Sequence, residues 1–449
     1  MNYDVLQADS YVLHLAALAK RHQIRTSEDV LNEQGAIIIG KGQLLDENIT
    51  RRIVQHKLNK PLELSISFAD GLSGERLLDL YHALLQQIPA FMALHSKWGI
   101  EKYLNRACLA YGEYPVLVQK LSVLKARLPG IFEQALFVAY GAMLIALRMK
   151  KSEDEILHVF LAGLSHDIGM LHIPTEIHQK KTEYTPQEWH IMQSHAAISQ
   201  CILQQMPGLH GDIIQAVAEH HERCDGSGYP HAKKEAELGQ LGQIVALADT
   251  CYAIYQRELK PRTLGPESLL AVLQFYPDVH GIRVFEAAVK ILRLFKGDPK
   301  RAYADSQIAT LVSGLLLRNE AINHDYCVLY GLVTALRCES KASSLPLLQG
   351  MTERLKYALA SSGVMQAEHS QWLVQVCGQK LTQNYAELEQ VELMYAEVEW
   401  QLKQMKRMVY VLWKSHKFSS LHLSDVIQRG LLQIEHYHRL HSMRPLAMS

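Results

Sequence analysis

Histidine and aspartate stand in this chain just after apolar runs. His166 and Asp167 follow the run Val159 to Leu164, and His220 and His221 follow Ile213, Ile214, Ala216 and Val217. Asp249 comes directly after Ile244 to Ala248, and His195 lies between the two pairs. A single histidine on an apolar helix is ordinarily a hydrogen-bonded core residue. Here three apolar helices each deliver such groups, and burying imidazole with carboxylate is costly unless they are paired or bound to metal. Imidazole and carboxylate together suit Fe, Mn, Zn or a similar divalent ion. Asp167 can bridge two such ions, and an ion pair stabilises both the attacking and the departing oxygen of a phosphodiester. Hydrolysis by in-line displacement is the reaction class this points to.

The elements that must position these groups are helices. Thr185-Pro186-Gln187-Glu188 predicts a helix start with a Thr cap, Pro at the first position and Glu closing a capping box. That helix is expected to carry His195 in its third turn. Gly208 and Gly211 punctuate before a helix from Ile213 to His221, and Leu241 to Tyr255 is a further apolar helix containing Asp249. Upstream, Val30 to Gly42 reads as two short strands about a glycine turn, and Asp46 as the cap of a helix ending near His56. Leu62 to Phe68 is extended, and helical periodicity takes over near Gly74.

With 449 residues the chain has room for two or three domains. Apolar residues make up 48% and charged ones 20%, an ordinary balance for a soluble globular protein. Lys plus Arg and Asp plus Glu are 46 each, so no global field draws it to a nucleic-acid polymer or an anionic membrane. The 23 histidines are unusual, and many fall between His158 and His231. Seven scattered cysteines without a CxxC pair suggest reduced thiols and a cytoplasmic location. Met1 to Val5 shows no start of a signal peptide. The most apolar run, Ala135 to Leu147, is short for a bilayer span and reads as a buried helix.

The expected organisation is mostly α. A small α+β segment over 1–70 precedes a helical domain over 71–298 and a C-terminal helical region over 299–449. In the last, Leu388, Val391, Tyr395, Val398, Leu402, Met405, Val409 and Leu412 alternate steps of three and four, with Leu381 one heptad earlier. Glu387, Glu389, Glu392, Glu397, Glu399, Lys403, Lys406 and Arg407 flank this seam. The stretch 381–412 is either one long helix of a local bundle or the seam of a homodimeric coiled coil.

His166-Asp167-Ile168-Gly169, His195, His220-His221-Glu222-Arg223, Asp225-Gly226-Ser227-Gly228-Tyr229-Pro230 and Ala248-Asp249 together resemble the HD-GYP family, the bacterial cyclic-di-GMP phosphodiesterase branch of the HD superfamily. The resemblance covers about 125–295, and the first segment resembles the small region often placed before such domains. It implies a helical bundle around a centre of two or three divalent ions (two are expected here, Fe, Mn or similar). The metal ligands it implies are His166, Asp167, His195, His220, His221 and Asp249, with Asp167 central to catalysis. Asp225, Gly226, Gly228, Tyr229 and Pro230 would line the substrate site. Arg257, Lys260 and Arg262 fall near the family's basic phosphate-binding residues.

The chain also departs from that pattern. Gln134 stands where the family expects a histidine one helix upstream, and Gly130 where trimetal members carry a glutamate. Met170 replaces the lysine after His-Asp-x-Gly, and Thr250-Cys251-Tyr252-Ala253 lacks a second aspartate. These changes weaken one ion position and leave the other nearly intact. The expected function is a metal-dependent phosphodiesterase that hydrolyses cyclic-di-GMP, to the linear dinucleotide or on to GMP, in second-messenger signalling. The alternative is a catalytically degenerate module that binds the cyclic dinucleotide or a signalling protein without hydrolysis.

Overall fold

The computed structural model describes residues 7–19, 22–180, 182, 184–276, 279–295, 301–339, 345–415 and 421–442. Helices dominate, and the described strands form two small antiparallel pairs, as the mostly α expectation requires. Val30–Leu31 pairs with Ile37–Ile39 about the glycine turn, and Ile24–Thr26 pairs with Ile66–Phe68. The helix Glu47–Val54 begins where Asp46 accepts a 2.7 Å hydrogen bond from the Ile49 amide. The signal-peptide reading of the first five residues and the boundary near Pro299 lie outside the described residues.

The chain falls into two compact units: Met1–Cys224 with Gly228–Tyr252 and His280–Ile291, and Asp225–Ser227 with Ala253–Val279 and Leu292–Ser449. This grouping differs from the divisions expected at 70/71 and 298/299, and shared cores are the reason. In the first unit the helix Gln7–Ala19 packs on Pro115–Arg127 and on the 3-10 turn Ile168–His172. There Tyr11 stacks on His172 at 5.0 Å, and buried Lys120 reaches Glu63 at 3.1 Å and His172 Nε2 at 2.9 Å. Burial pushes the Lys120 ammonium down to about 8, against the pull of Glu63. The N-terminal segment is thus locked to the turn that follows Asp167.

The apolar run belongs to a longer helix than expected, Pro129–Arg148, which is long and apolar enough to cross a membrane by length and composition. Most of it is buried, chiefly against Glu153–Ser165. The Thr185 capping box forms as expected, with Thr185 Oγ1 accepting from Glu188 N at 3.2 Å and Glu188 Oε2 from Thr185 N at 2.7 Å. That helix, Pro186–Gln193, stops before His195, however, and His195 opens a new helix, His195–Gln204. At the break Ser194 Oγ donates to Ile191 O at 2.6 Å and His195 Nδ1 to Met192 O at 2.6 Å. The Ser194 amide also donates to Ile191 O at 3.1 Å, so side chain and backbone share the last carbonyls of the first helix.

In the second unit the helix Tyr385–Ser415 carries the heptad seam, and its residues from Leu388 to Leu412 are buried in the unit's own core. The helices Ile308–Glu339, Leu345–Ser362 and Leu421–Ser442 pack around it. The seam therefore serves a local bundle. Its acidic flank is also paired within the unit. Glu389 meets Arg301 at 3.5 Å, Glu392 meets Arg262 at 3.7 Å, and Glu399 meets Arg318 at 2.7 Å.

Candidate metal centre

The centre is built from the ends of three helices in the first unit and from the interior of a fourth. His166 caps Glu153–Ser165 with Asp167 next to it, His195 begins its own helix, and His220 and His221 follow Gly211–Glu219. Asp249 comes from Gln240–Ile254. His166, Asp167, His195, His220 and Asp249 are buried, and His221 is half-buried.

One device repeats in three of the imidazoles. His166 Nδ1 donates to Gly163 O at 2.8 Å, His195 Nδ1 to Met192 O at 2.6 Å, and His220 Nδ1 to Val217 O at 2.6 Å. Each bond fixes the ring and aims Nε2 inward, the orientation metal-ligating histidines take. His195 Nε2 then lies 3.1 Å from Asp167 Oδ1, 3.4 Å from His220 Nε2 and 3.0 Å from His221 Nε2, and His220 Nε2 is 3.6 Å from Asp167 Oδ1. Two ligands about 2.1 Å from one ion subtend about 3.0–3.4 Å at tetrahedral or right angles. The four donor atoms lie within 4.8 Å of one another, and Asp167 Oδ1 is buried without a hydrogen-bond partner. Facing lone pairs on a buried carboxylate oxygen repel unless a cation lies among them, so these residues fit a divalent ion.

The electrostatics agree. Burial and the neighbouring imidazoles push His221 well below its ordinary value, and burial lowers His220, so both hold the neutral form that metals bind. Burial would raise Asp167, but adjacent His166 overrides it and holds the carboxyl well below the usual range. His166, pulled down by burial, is carried up to about 9 by that same carboxylate.

Beside this group lies a second set of donors. His166 Nε2 is 3.1 Å from Asp167 Oδ2 and 3.8 Å from Asp249 Oδ1, and His221 Nδ1 is 4.0 Å from Asp249 Oδ2. Gln134 reaches between them. Its Nε2 donates to Asp249 Oδ1 at 2.8 Å and to Asp167 Oδ2 at 3.1 Å. Met170 is buried just after Asp167.

Glycines permit the close approaches around the centre. A Cβ on Gly169 would stand 2.1 Å from His195 O, and one on Gly228 would stand 2.3 Å from Glu222 Cα. Two residues whose parts the sequence did not disclose bond the backbone on either side of the glycine loop. Glu222 accepts from His231 N at 2.7 Å and Lys233 N at 3.0 Å, and Arg223 donates to the carbonyls of His220 and Glu222 at 3.0 and 2.8 Å. Their signal was their place in the His220-His221-Glu222-Arg223 motif, which assigns them no contact. Tyr229 stacks on His221 with centroids 4.6 Å apart, and Pro230 is exposed beyond it.

The expected substrate contacts Asp225, Gly226, Arg257 and Lys260 belong to the second unit. Asp225, grouped with the second unit, pairs with Arg354 of Leu345–Ser362, and Gly226 takes a left-handed φ of 78°. Arg257 donates to Glu258 and Glu397, Arg262 pairs with Glu258, and Lys260 is exposed at the start of the turn Lys260–Arg262. Carboxylates thus take the Arg257 and Arg262 guanidinium groups expected at phosphate. A further ligand-type group that the sequence did not mark, His158 with His210 and Asp212, lies at the surface of the first unit.

The family model of the HD domain matches residues 120–280. The chain is 27% identical over 247 residues to the 3'3'-cGAMP-specific phosphodiesterase 1 of Vibrio cholerae, covering 54% of this chain and 52% of that protein. It is 41% identical over 117 residues to a cyclic di-GMP phosphodiesterase of Thermotoga maritima, covering 25% of this chain and 31% of that one. A cyclic di-GMP phosphodiesterase of Pseudomonas aeruginosa is 29% identical over 119 residues, or 26% of this chain and 29% of the relative. The chain spans about half or less of the length of these relatives.

Proposed function

We propose, from the premise that this chain belongs to the HD-GYP family of HD domains, that its His–Asp centre hydrolyses a cyclic dinucleotide with the help of bound divalent metal. The observation that carries this reading is the convergence of Asp167, His195, His220 and His221 at ion-sharing distances. Bound iron or manganese would supply Lewis-acid stabilisation to the phosphoryl oxygens.

The chain's own residues do the rest. The Nδ1 bonds of His166, His195 and His220 hold the rings in place before substrate arrives, and Asp167 contributes one oxygen to each side of the centre. Gly228 lets the loop backbone approach closely, and Tyr229 forms a wall against His221 on which a base or sugar can rest. Cyclic-di-GMP is the substrate we favour, with the linear dinucleotide and then GMP as products. The relatives' names support the class and divide between cyclic-di-GMP and 3'3'-cGAMP. The six described free cysteines support a reducing, cytoplasmic setting.

The direct test is incubation of Mn- or Fe-loaded protein, with metal content measured, against cyclic-di-GMP and 3'3'-cGAMP under reducing conditions. Linear product that disappears in Asp167→Ala supports the proposal, and no product from either nucleotide sinks it. A second reading is favoured by Gln134 and Met170: a module that binds the nucleotide, or a signalling protein, without hydrolysis. Saturable nucleotide binding with no turnover would select it.

A further inference from the structure

We propose that the Gln134 amide takes the place of a second ion, so that the centre holds a single divalent ion among Asp167, His195, His220 and His221. This rests on the metal-dependent reading above. Gln134 Nε2 lies 2.8 Å from Asp249 Oδ1, 3.1 Å from Asp167 Oδ2 and 3.5 Å from His166 Nε2. Those three atoms are the donors a second ion would need. A primary amide carries two N–H groups, one for each carboxylate. It therefore joins Asp167 to Asp249, and the strength of both bonds comes from the carboxylate charge.

The amide is also held in position. Phe137, one turn further along the Gln134 helix, packs on Tyr252 at 5.2 Å. At Gly141, one turn beyond, a Cβ would lie in ordinary contact with Ala248 Cβ at 3.6 Å. These contacts lie between Pro129–Arg148 and Gln240–Ile254, the helices that carry Gln134 and Asp249. His166 cannot swing away, because its Nδ1 is bound to Gly163 O. An entering ion would have to break both amide hydrogen bonds and then accept an amide oxygen, a weak ligand for the metals that imidazole favours. Asp167 Oδ1, by contrast, faces His195 Nε2 at 3.1 Å and His220 Nε2 at 3.6 Å. Asp167 is thus divided, with Oδ1 facing the imidazole trio and Oδ2 facing the amide.

The experiment uses the full chain loaded with Mn2+ and freed of excess ion. Manganese per chain is counted by mass spectrometry, and electron paramagnetic resonance separates isolated from spin-coupled ions. The expected result is one ion per chain with an isolated-ion spectrum. Gln134→His and Gln134→Glu, which remove the two-proton donor, should raise the count to two and give a coupled spectrum. Folding of each variant is checked by circular dichroism. Two ions in the unchanged protein, or one ion in both folded variants, overturns the proposal while leaving the hydrolase reading intact. No bound ion in the unchanged protein overturns both.

Discussion

Arg257 donates to Glu397, a carboxylate with no exposed surface that also accepts from Tyr276 and from Gln401. Burial raises the Glu397 carboxyl above its ordinary value even with Arg257 beside it, so the guanidinium is what makes the buried site tolerable. Removing one partner of a buried pair leaves the other charge uncompensated. Arg257→Ala should cost about 3–5 kcal/mol, read as a fall in the midpoint of chemical unfolding. The same variant, assayed where it remains folded, should keep the KM for cyclic dinucleotide. Unchanged stability with a raised KM would return Arg257 to the phosphate-contacting role its place in the sequence suggested.

Tyr229 stacks on His221 at 4.6 Å and meets His195 edge-on at 6.4 Å, so one ring braces two imidazoles of the centre. An aromatic contact of this kind contributes about 0.5–1.5 kcal/mol. Tyr229→Ala should therefore weaken Mn2+ binding about 2- to 12-fold in a calorimetric titration, and Tyr229→Phe should leave it nearly unchanged. Equal weakening in both variants would place the effect on the hydroxyl rather than the ring.

The turn after Asp167 approaches the His195 helix closely, with Gly169 N donating to Ser199 Oγ at 2.8 Å. A methyl group at Gly169 would meet backbone atoms, His195 O at 2.1 Å and Ser199 N at 2.9 Å, which cannot rotate aside as a flexible side chain would. Gly169→Ala should destabilise the chain by about 1–3 kcal/mol and move His195 away from Asp167. Melting temperature and manganese content should fall together. A destabilised variant that keeps full manganese content would show that the strain is relieved without moving His195.

Much of the centre was legible because its groups break an apolar pattern. His166, Asp167, His220, His221 and Asp249 each follow a run that only a core can bury, and folding brings them together with His195. Gln134 stood out only against the family pattern, and its two carboxylate bonds depend on a helix crossing that no local periodicity encodes. The acidic flank of the heptad seam illustrates a different limit. Glu389, Glu392, Glu397 and Glu399 read as charged flanks of a seam, yet Arg301, Arg262, Arg257 and Arg318 from distant segments pair with them. Lys120 with Glu63 and His172 was invisible for the same reason, since partners 57 and 52 residues away leave no local spacing to read.

His14 offers a test of the packed N-terminal segment that is independent of the centre. It is buried on Gln7–Ala19, with Arg127 Nε donating to its Nδ1 at 3.4 Å. Burial lowers its value to about 4, and Arg127, His178 and Lys120 press in the same direction. In the unfolded chain the imidazole takes its proton near pH 6.5. Between those two values the unfolded state binds more protons than the folded one, so stability rises with pH across the window and falls as pH drops from 6.5 to 4. Below about 4 both states are protonated and the contribution is flat. His14→Gln keeps an acceptor for Arg127 but cannot titrate. Its melting temperature should therefore fall less than that of the unchanged protein between pH 7 and pH 4.5. Parallel losses in the two proteins would show that His14 is not held neutral by its surroundings.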